Sequence, residues 1–177
     1  MLEIGAGTGV IPTALFTNSN WASPSEMPLN WIATDQAELL PLLCKNLRDV
    51  HSSAVNIHVA EYDWVYLHSS TQRLRQEYIE SLLRPFSRDA LTYPDLVLCV
   101  DCVYNPSLFP ALVDAIKVIC SSNTAVVIAV QLRAFDTIQE FLAEWLGTGE
   151  FHVFSVEDDA LPPEYRQGYA IWIAWRT

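Results

Sequence analysis

The stretch Glu3-Ile-Gly-Ala-Gly-Thr-Gly9 constrains this chain more than any other. A short apolar segment containing Leu2 and Ile4 runs straight into glycine at every second position, and an apolar, helix-compatible segment from Val10 to Phe16 follows. Glycine tolerates the left-handed conformations of a tight turn and lets backbone approach a ligand where any Cβ would clash. A strand, such a turn and a helix make up the opening of a nucleotide-binding α/β unit, which places a site at this turn.

The spacing narrows the class. A dinucleotide fingerprint, G-x-G-x-x-G, would need a glycine where Val10 stands. The chain instead reads E-x-G-x-G-x-G from Glu3 to Gly9. A nicotinamide site and a glycine turn that binds nothing remain as alternatives.

Residues 17–30 are turn-rich, and Trp31-Ile-Ala-Thr-Asp35 reads as a short buried strand ending in a carboxylate. An acid at that strand tip suits a ribose, whose adjacent hydroxyls offer two donors to one carboxylate. Its alternative role is the N-cap of the next helix. That helix is expected over Glu38–Val50, with Leu39, Leu40, Leu42, Leu43, Leu47 and Val50 on a broad apolar face and Pro41 in the first turn. Val55–Val59 is expected as the third strand, leading into Glu61-Tyr-Asp-Trp64. Trp64 there suits either stacking on an adenine or packing into the core, with core packing ahead on the residues alone. The four histidines (His51, His58, His68 and His152) lack ligand spacing.

Residues 69–92 are the most polar stretch; a helix is expected through Leu83, stopped at Pro85, with its charges on a solvated face. An insertion over about 65–92 is expected within a single 1–177 domain. Leu96–Val100 is a continuous apolar run, as in a central strand buried on both faces, and it exits into Asp101-Cys-Val-Tyr104. Open α/β sheets place their sites at such strand ends, so Asp101 and Tyr104 are candidates for chemistry. Helices over Phe109–Cys120 and Phe135–Leu146 flank a strand over Thr124–Val130. Phe151–Val156 and Tyr169–Trp175 then form two strands with no helix between them, hence an antiparallel hairpin joined by loop 157–168. The fold class expected is α/β and Rossmann-like, a seven-stranded, mostly parallel sheet with a C-terminal antiparallel hairpin.

With 21 acidic and 10 basic side chains the net charge is −11, which repels phosphate backbones and suits a basic partner rather than nucleic acid. Cys99-Val-Asp-Cys102 has the gap of a metal knuckle but no second pair to complete four ligands, so no metal is expected and the thiols read as reduced. Neither a signal peptide nor a membrane-length apolar run is read, which leads to an expectation of a soluble, cytoplasmic monomer, with the nucleus as the alternative compartment.

Together Glu3–Gly9, Asp35 and Asp101-Cys-Val-Tyr104 resemble the family-16 class I methyltransferases, the methyltransferase-like protein-lysine methyltransferases. Glu3–Gly9 matches motif I of the class, and Asp101–Tyr104 matches the more specific D/E-x-x-Y after the fourth strand. The ending Gly168-Tyr-Ala-Ile-Trp-Ile-Ala-Trp175 resembles fungal ribosomal members of the group. The resemblance implies S-adenosyl-L-methionine as cofactor, held by Glu3, Gly5, Ala6, Gly7, Asp35, Trp64 and Val100. Trp64 would neighbour the adenine. Asp101 would orient a substrate lysine, and Tyr104 would line its channel. The implied substrate is a basic protein, with a ribosomal or other translation-related protein as one candidate. Because the first strand begins at residue 2, the upstream elements such enzymes usually carry, including a tryptophan that helps close the cofactor site, have no counterpart in this sequence, as expected of a truncated product, a fragment or a shortened gene model. Two other functions fit the same fold: a small-molecule methyltransferase and a non-catalytic binding module.

Overall fold

The computed structural model describes residues 1–17, 28–50, 52–87, 90–133, 135–163, 166 and 168–177. Parts of the expected loops at 17–30 and 157–168, together with His51, Arg88 and Asp89, lie outside the described residues. The chain forms two compact units, Met1–Asp63 and Trp64–Thr177.

The first unit alternates strands and helices: β1 (Leu2–Ile4), α1 (Val10–Thr17), β2 (Leu29–Asp35), α2 (Leu40–Leu47) and β3 (Val55–Glu61). Its three strands are parallel with β2 in the middle; Glu3 pairs with Ala33, and Asp35 with Glu61. Leu2, Ile4 and Ala33 are fully buried, and the Trp31 ring meets Phe16 of α1 edge-on at 5.6 Å. Helix α2 is shorter than the expected Glu38–Val50. Turns with Leu39 N–H donating to Gln36 O and Leu40 N–H to Ala37 O precede it, and Pro41 stands in its first turn. Its apolar face is also narrower than expected. Leu43 and Leu47 are buried, one helical turn apart, whereas Leu39 and Leu42 face solvent.

In the second unit, α3 (Trp64–Ser69) and α4 (Gln72–Leu83) lead through a 3-10 turn at Arg84–Phe86 to β4 (Leu96–Val100). A 3-10 turn at Pro106–Leu108, α5 (Phe109–Ile119), β5 (Ala125–Gln131), α6 (Phe135–Gly147), β6 (Phe151–Ser155), a 3-10 turn at Asp158–Ala160 and β7 (Tyr169–Arg176) complete it. Helix α4 ends where Pro85 was expected to stop it, and the Thr71 hydroxyl caps its start by accepting from Leu74 N–H. β4 and β5 are parallel; β7 runs antiparallel between β5 and β6. The terminal hairpin is therefore as expected.

The β4 run is buried on one face, not two. Val97 and Cys99 are fully buried, while Leu96, Leu98 and Val100 are half-buried. Helix α5 is apolar almost all round because α3 and α6 both pack on it. On α6, Ile138, Phe141 and Trp145 point inward, but Phe135, equally apolar, is 74% exposed. As the first residue of the helix, it precedes the turn from which the inward stripe starts. The two units supply seven strands, mostly parallel with an antiparallel C-terminal pair, and the class is α/β. Among the described residues no helix is long and apolar enough to cross a membrane.

Candidate active site

The glycine turn closes on the second strand. Ala6 N–H donates to Thr34 O at 2.9 Å, Gly9 N–H to Ala6 O at 2.9 Å, and Gly7 N–H to Asp35 Oδ2 at 2.7 Å. Gly5, Gly7 and Gly9 all lie in the left-handed region, with φ of 68°, 56° and 76°. Their reasons differ. A Cβ on Gly7 would meet no atom within 4 Å, so backbone faces open space there, as a ligand cradle requires. A Cβ on Gly9 would lie 2.8 Å from Leu47 Cδ2 and 2.9 Å from Leu43 Cδ1, so that glycine serves the packing of α2 rather than ligand approach.

Asp35 is 9% exposed, and its other oxygen, Oδ1, accepts from Gln36 N–H at 2.8 Å. It does not cap α2, whose N-cap position is Leu39 and carries no side-chain cap. Each carboxylate oxygen has two lone pairs, so acceptor capacity remains for the hydroxyls of a ribose. Glu3 lies buried, and its Oε2 accepts from Trp31 Nε1–H at 2.9 Å. Burial pushes its carboxyl up to about 7; the Trp31 bond pulls it down and the nearby Asp35 charge adds to the rise. The aromatic bonded next to this strand tip is Tyr62, fully buried, whose N–H donates to Asp35 O at 3.0 Å.

In the second unit the Asp101–Tyr104 spacing has a structural basis. Cys102 and Val103 are both buried, each 5% exposed, and hold the segment down while Asp101 and Tyr104 on either side reach the surface. Asp101 is a non-glycine residue at φ 55°, fixed by its N–H donating to Ala129 O at 2.8 Å. Its Oδ2 accepts from Arg133 Nη2 at 2.7 Å, and Arg133 Nε donates to Gln131 Oε1 at 2.9 Å. Val100, the last residue of β4, pairs with Ala129 and is half-buried. Trp64 opens α3 and is half-buried, which makes it a poor core anchor.

Two cavities lie elsewhere, and none of the nine expected site residues lines either. One, of about 970 Å³, runs along α2 and β3 beside Cys44, Arg48 and His58. The other, of about 610 Å³, is bordered by Arg75, Asp114, Lys117, Glu150 and Arg176. Its charges tie elements together. Glu150 bridges Lys117 at 2.7 Å and Arg176 at 3.1 Å, Arg176 Nη1 donates to the Lys117 and Cys120 carbonyls at the end of α5, and Asp114 holds Arg75. His68, which lacks ligand spacing in the sequence, lies with Nδ1 2.6 Å from Asp114 Oδ2.

Sequence reasoning singled out Gly7 and Asp35 separately, and the structure brings them into direct contact. It passed over Trp31 as the partner of Glu3 and Arg133 as the partner of Asp101. Aligning the ends of neighbouring parallel strands could have found Arg133, because it follows β5 as Asp101 follows β4.

The profile of the lysine methyltransferase family matches residues 1–145. No curated protein matches the chain. Among solved structures, a TehB-like SAM-dependent methyltransferase from Corynebacterium glutamicum ATCC 13032 Kitasato superposes with a TM-score of 0.54 at 14% identity, covering 99% of this chain and 79% of that one. Magnesium protoporphyrin IX methyltransferase from Synechocystis PCC 6803, with bound SAM, gives 0.53 at 11% identity over 99% and 69%. Mitomycin 7-O-methyltransferase gives 0.57 at 13% identity; the chain is covered to 99% and spans 48% of that enzyme. At such identities these likenesses concern the fold alone.

Proposed function

Because the chain belongs to the lysine methyltransferase family, we propose that it methylates the Nζ of a lysine in a basic protein. S-adenosylmethionine is the cofactor, and when bound it supplies an electrophilic methyl carbon on a sulfonium sulfur. The glycine turn at Gly5, Ala6 and Gly7 is the cradle for its amino-acid end. The remaining lone pairs of Asp35 receive ribose hydroxyls.

The observation that carries the substrate reading is the surface pair Asp101 and Tyr104 after β4, on a protein of net charge −11. Asp101 accepts a hydrogen bond from the lysine amine and orients it, and Tyr104 lines the approach. An ionised carboxylate raises the pKa of a lysine beside it, so Asp101 does not deprotonate the amine; the proton leaves to water. Alignment of a neutral amine is worth several kcal/mol of barrier.

The test begins with calorimetric binding of S-adenosylhomocysteine, followed by transfer of labelled methyl groups to protein in cell extract and mapping of the modified atom by mass spectrometry. Label on lysine Nζ, lost in Asp101→Asn with cofactor binding intact, is the expected result. Asparagine tolerates the left-handed backbone at this position, so the fold is preserved. Label confined to small molecules, or a full methylation rate in Asp101→Asn, would end this reading.

A further inference from the structure

This inference rests on the reading of Asp101 as the acceptor for a substrate lysine. In the structure that carboxylate already holds a cation, the Arg133 guanidinium at 2.7 Å. We infer that Arg133 occupies the place a substrate lysine takes on Asp101 and is displaced by it, so that Arg133 determines how strongly a cationic side chain binds there.

Four features support an exchange rather than a permanent tie. Both side chains are open to solvent, 64% for Arg133 and 44% for Asp101, and an ion pair so exposed is weak because water and salt screen it. Asp101 itself is fixed, by its left-handed backbone and its N–H bond to Ala129 O, so the arginine is the partner that moves. Arg133 has a second hold through Nε on Gln131 Oε1, which keeps the guanidinium nearby after Nη2 leaves. Finally, Asp101 Oδ1 takes no hydrogen bond among the described residues, which gives an incoming amine a first contact before the exchange.

The probe is pentalysine, with its binding followed by calorimetry at low salt. Arg133→Gln is expected to bind it roughly two- to fivefold tighter than the unmodified protein. Arg133→Lys, which restores a cation, is expected to match the unmodified protein. Arg73→Gln removes the same charge from an exposed pair with Glu77 on α4 and controls for the overall gain in negative charge. Asp101→Asn should bind more weakly, and adding Arg133→Gln to it should change nothing further. In the arginine-edited nitrogen spectrum, the Arg133 Nε signal should move on pentalysine addition toward its position in Asp101→Asn. Equal affinities for Arg133→Gln and Arg73→Gln, with Asp101→Asn still weaker, would overturn the exchange and leave the lysine reading standing. Unchanged binding in Asp101→Asn would remove both.

Discussion

The Gly7 N–H donates to Asp35 Oδ2 at 2.7 Å across 28 residues of chain, tying the glycine turn after β1 to the tip of β2. The residue proposed to receive the ribose is therefore also the anchor of the turn proposed to cradle the rest of the cofactor. Asp35→Ala removes both functions. A hydrogen bond to a charged acceptor contributes about 1.5–3 kcal/mol, so the S-adenosylhomocysteine Kd should rise by roughly 10- to 100-fold. Asp35→Asn keeps one acceptor oxygen, enough for Gly7 or Gln36 but not both, and should fall between. Calorimetry on the three proteins checks the order.

Gly7 and Gly9 separate ligand approach from packing. Gly9→Ala places a methyl against Leu43 and Leu47 at an already left-handed φ, and should destabilise by about 2–4 kcal/mol. Gly7→Ala carries only the backbone cost of about 1–2 kcal/mol, because its methyl enters open space, yet it should weaken cofactor binding by crowding the cradle. Urea denaturation and S-adenosylhomocysteine titration of both variants make the comparison. Equal stability losses would refute it.

Glu3 makes stability depend on pH. Its carboxyl, ordinarily at 4.5, is pushed up to about 7 by burial, so the native state retains a proton that the unfolded chain gives up. The stability tied to this proton is fully present below the unfolded value and is lost as pH rises through the folded one, up to roughly 3 kcal/mol in total. Glu3→Gln keeps an acceptor for Trp31 Nε1–H and removes the titration. Relative to the unmodified protein, its urea midpoint should therefore gain between about pH 5 and about pH 8. A constant difference across that window would assign the burial cost elsewhere.

Two buried indoles should respond differently to phenylalanine. Trp145 Nε1 is buried with no hydrogen-bond partner among the described residues, so Trp145→Phe removes an unsatisfied donor while shrinking a ring packed near Phe141 and Phe151. The two effects nearly cancel, leaving stability within about 1 kcal/mol. Trp31→Phe strips the donor from buried Glu3 and should cost about 2–3 kcal/mol. Thermal melts at one pH decide between them.

The class of the fold is legible in the sequence. Alternating apolar and turn-rich segments, then two strands with no helix between them, are local patterns, and a parallel sheet closed by an antiparallel hairpin follows from them. Helix faces were less legible. Apolar residues at Leu39, Leu42 and Phe135 resemble core residues in a linear pattern, and only the neighbours of each helix select which stripe is covered.

The chain's own residues determined the glycine turn, the carboxylate ending β2 and the D-x-x-Y exit from β4, because each depends on residues adjacent in sequence. The partners were decided by tertiary structure alone: Gly7 with Asp35, Glu3 with Trp31, and Asp101 with Arg133, whose members lie 28, 28 and 32 residues apart. Strand register brings such residues together, and register is set by the packing of whole sheet faces rather than by any one residue.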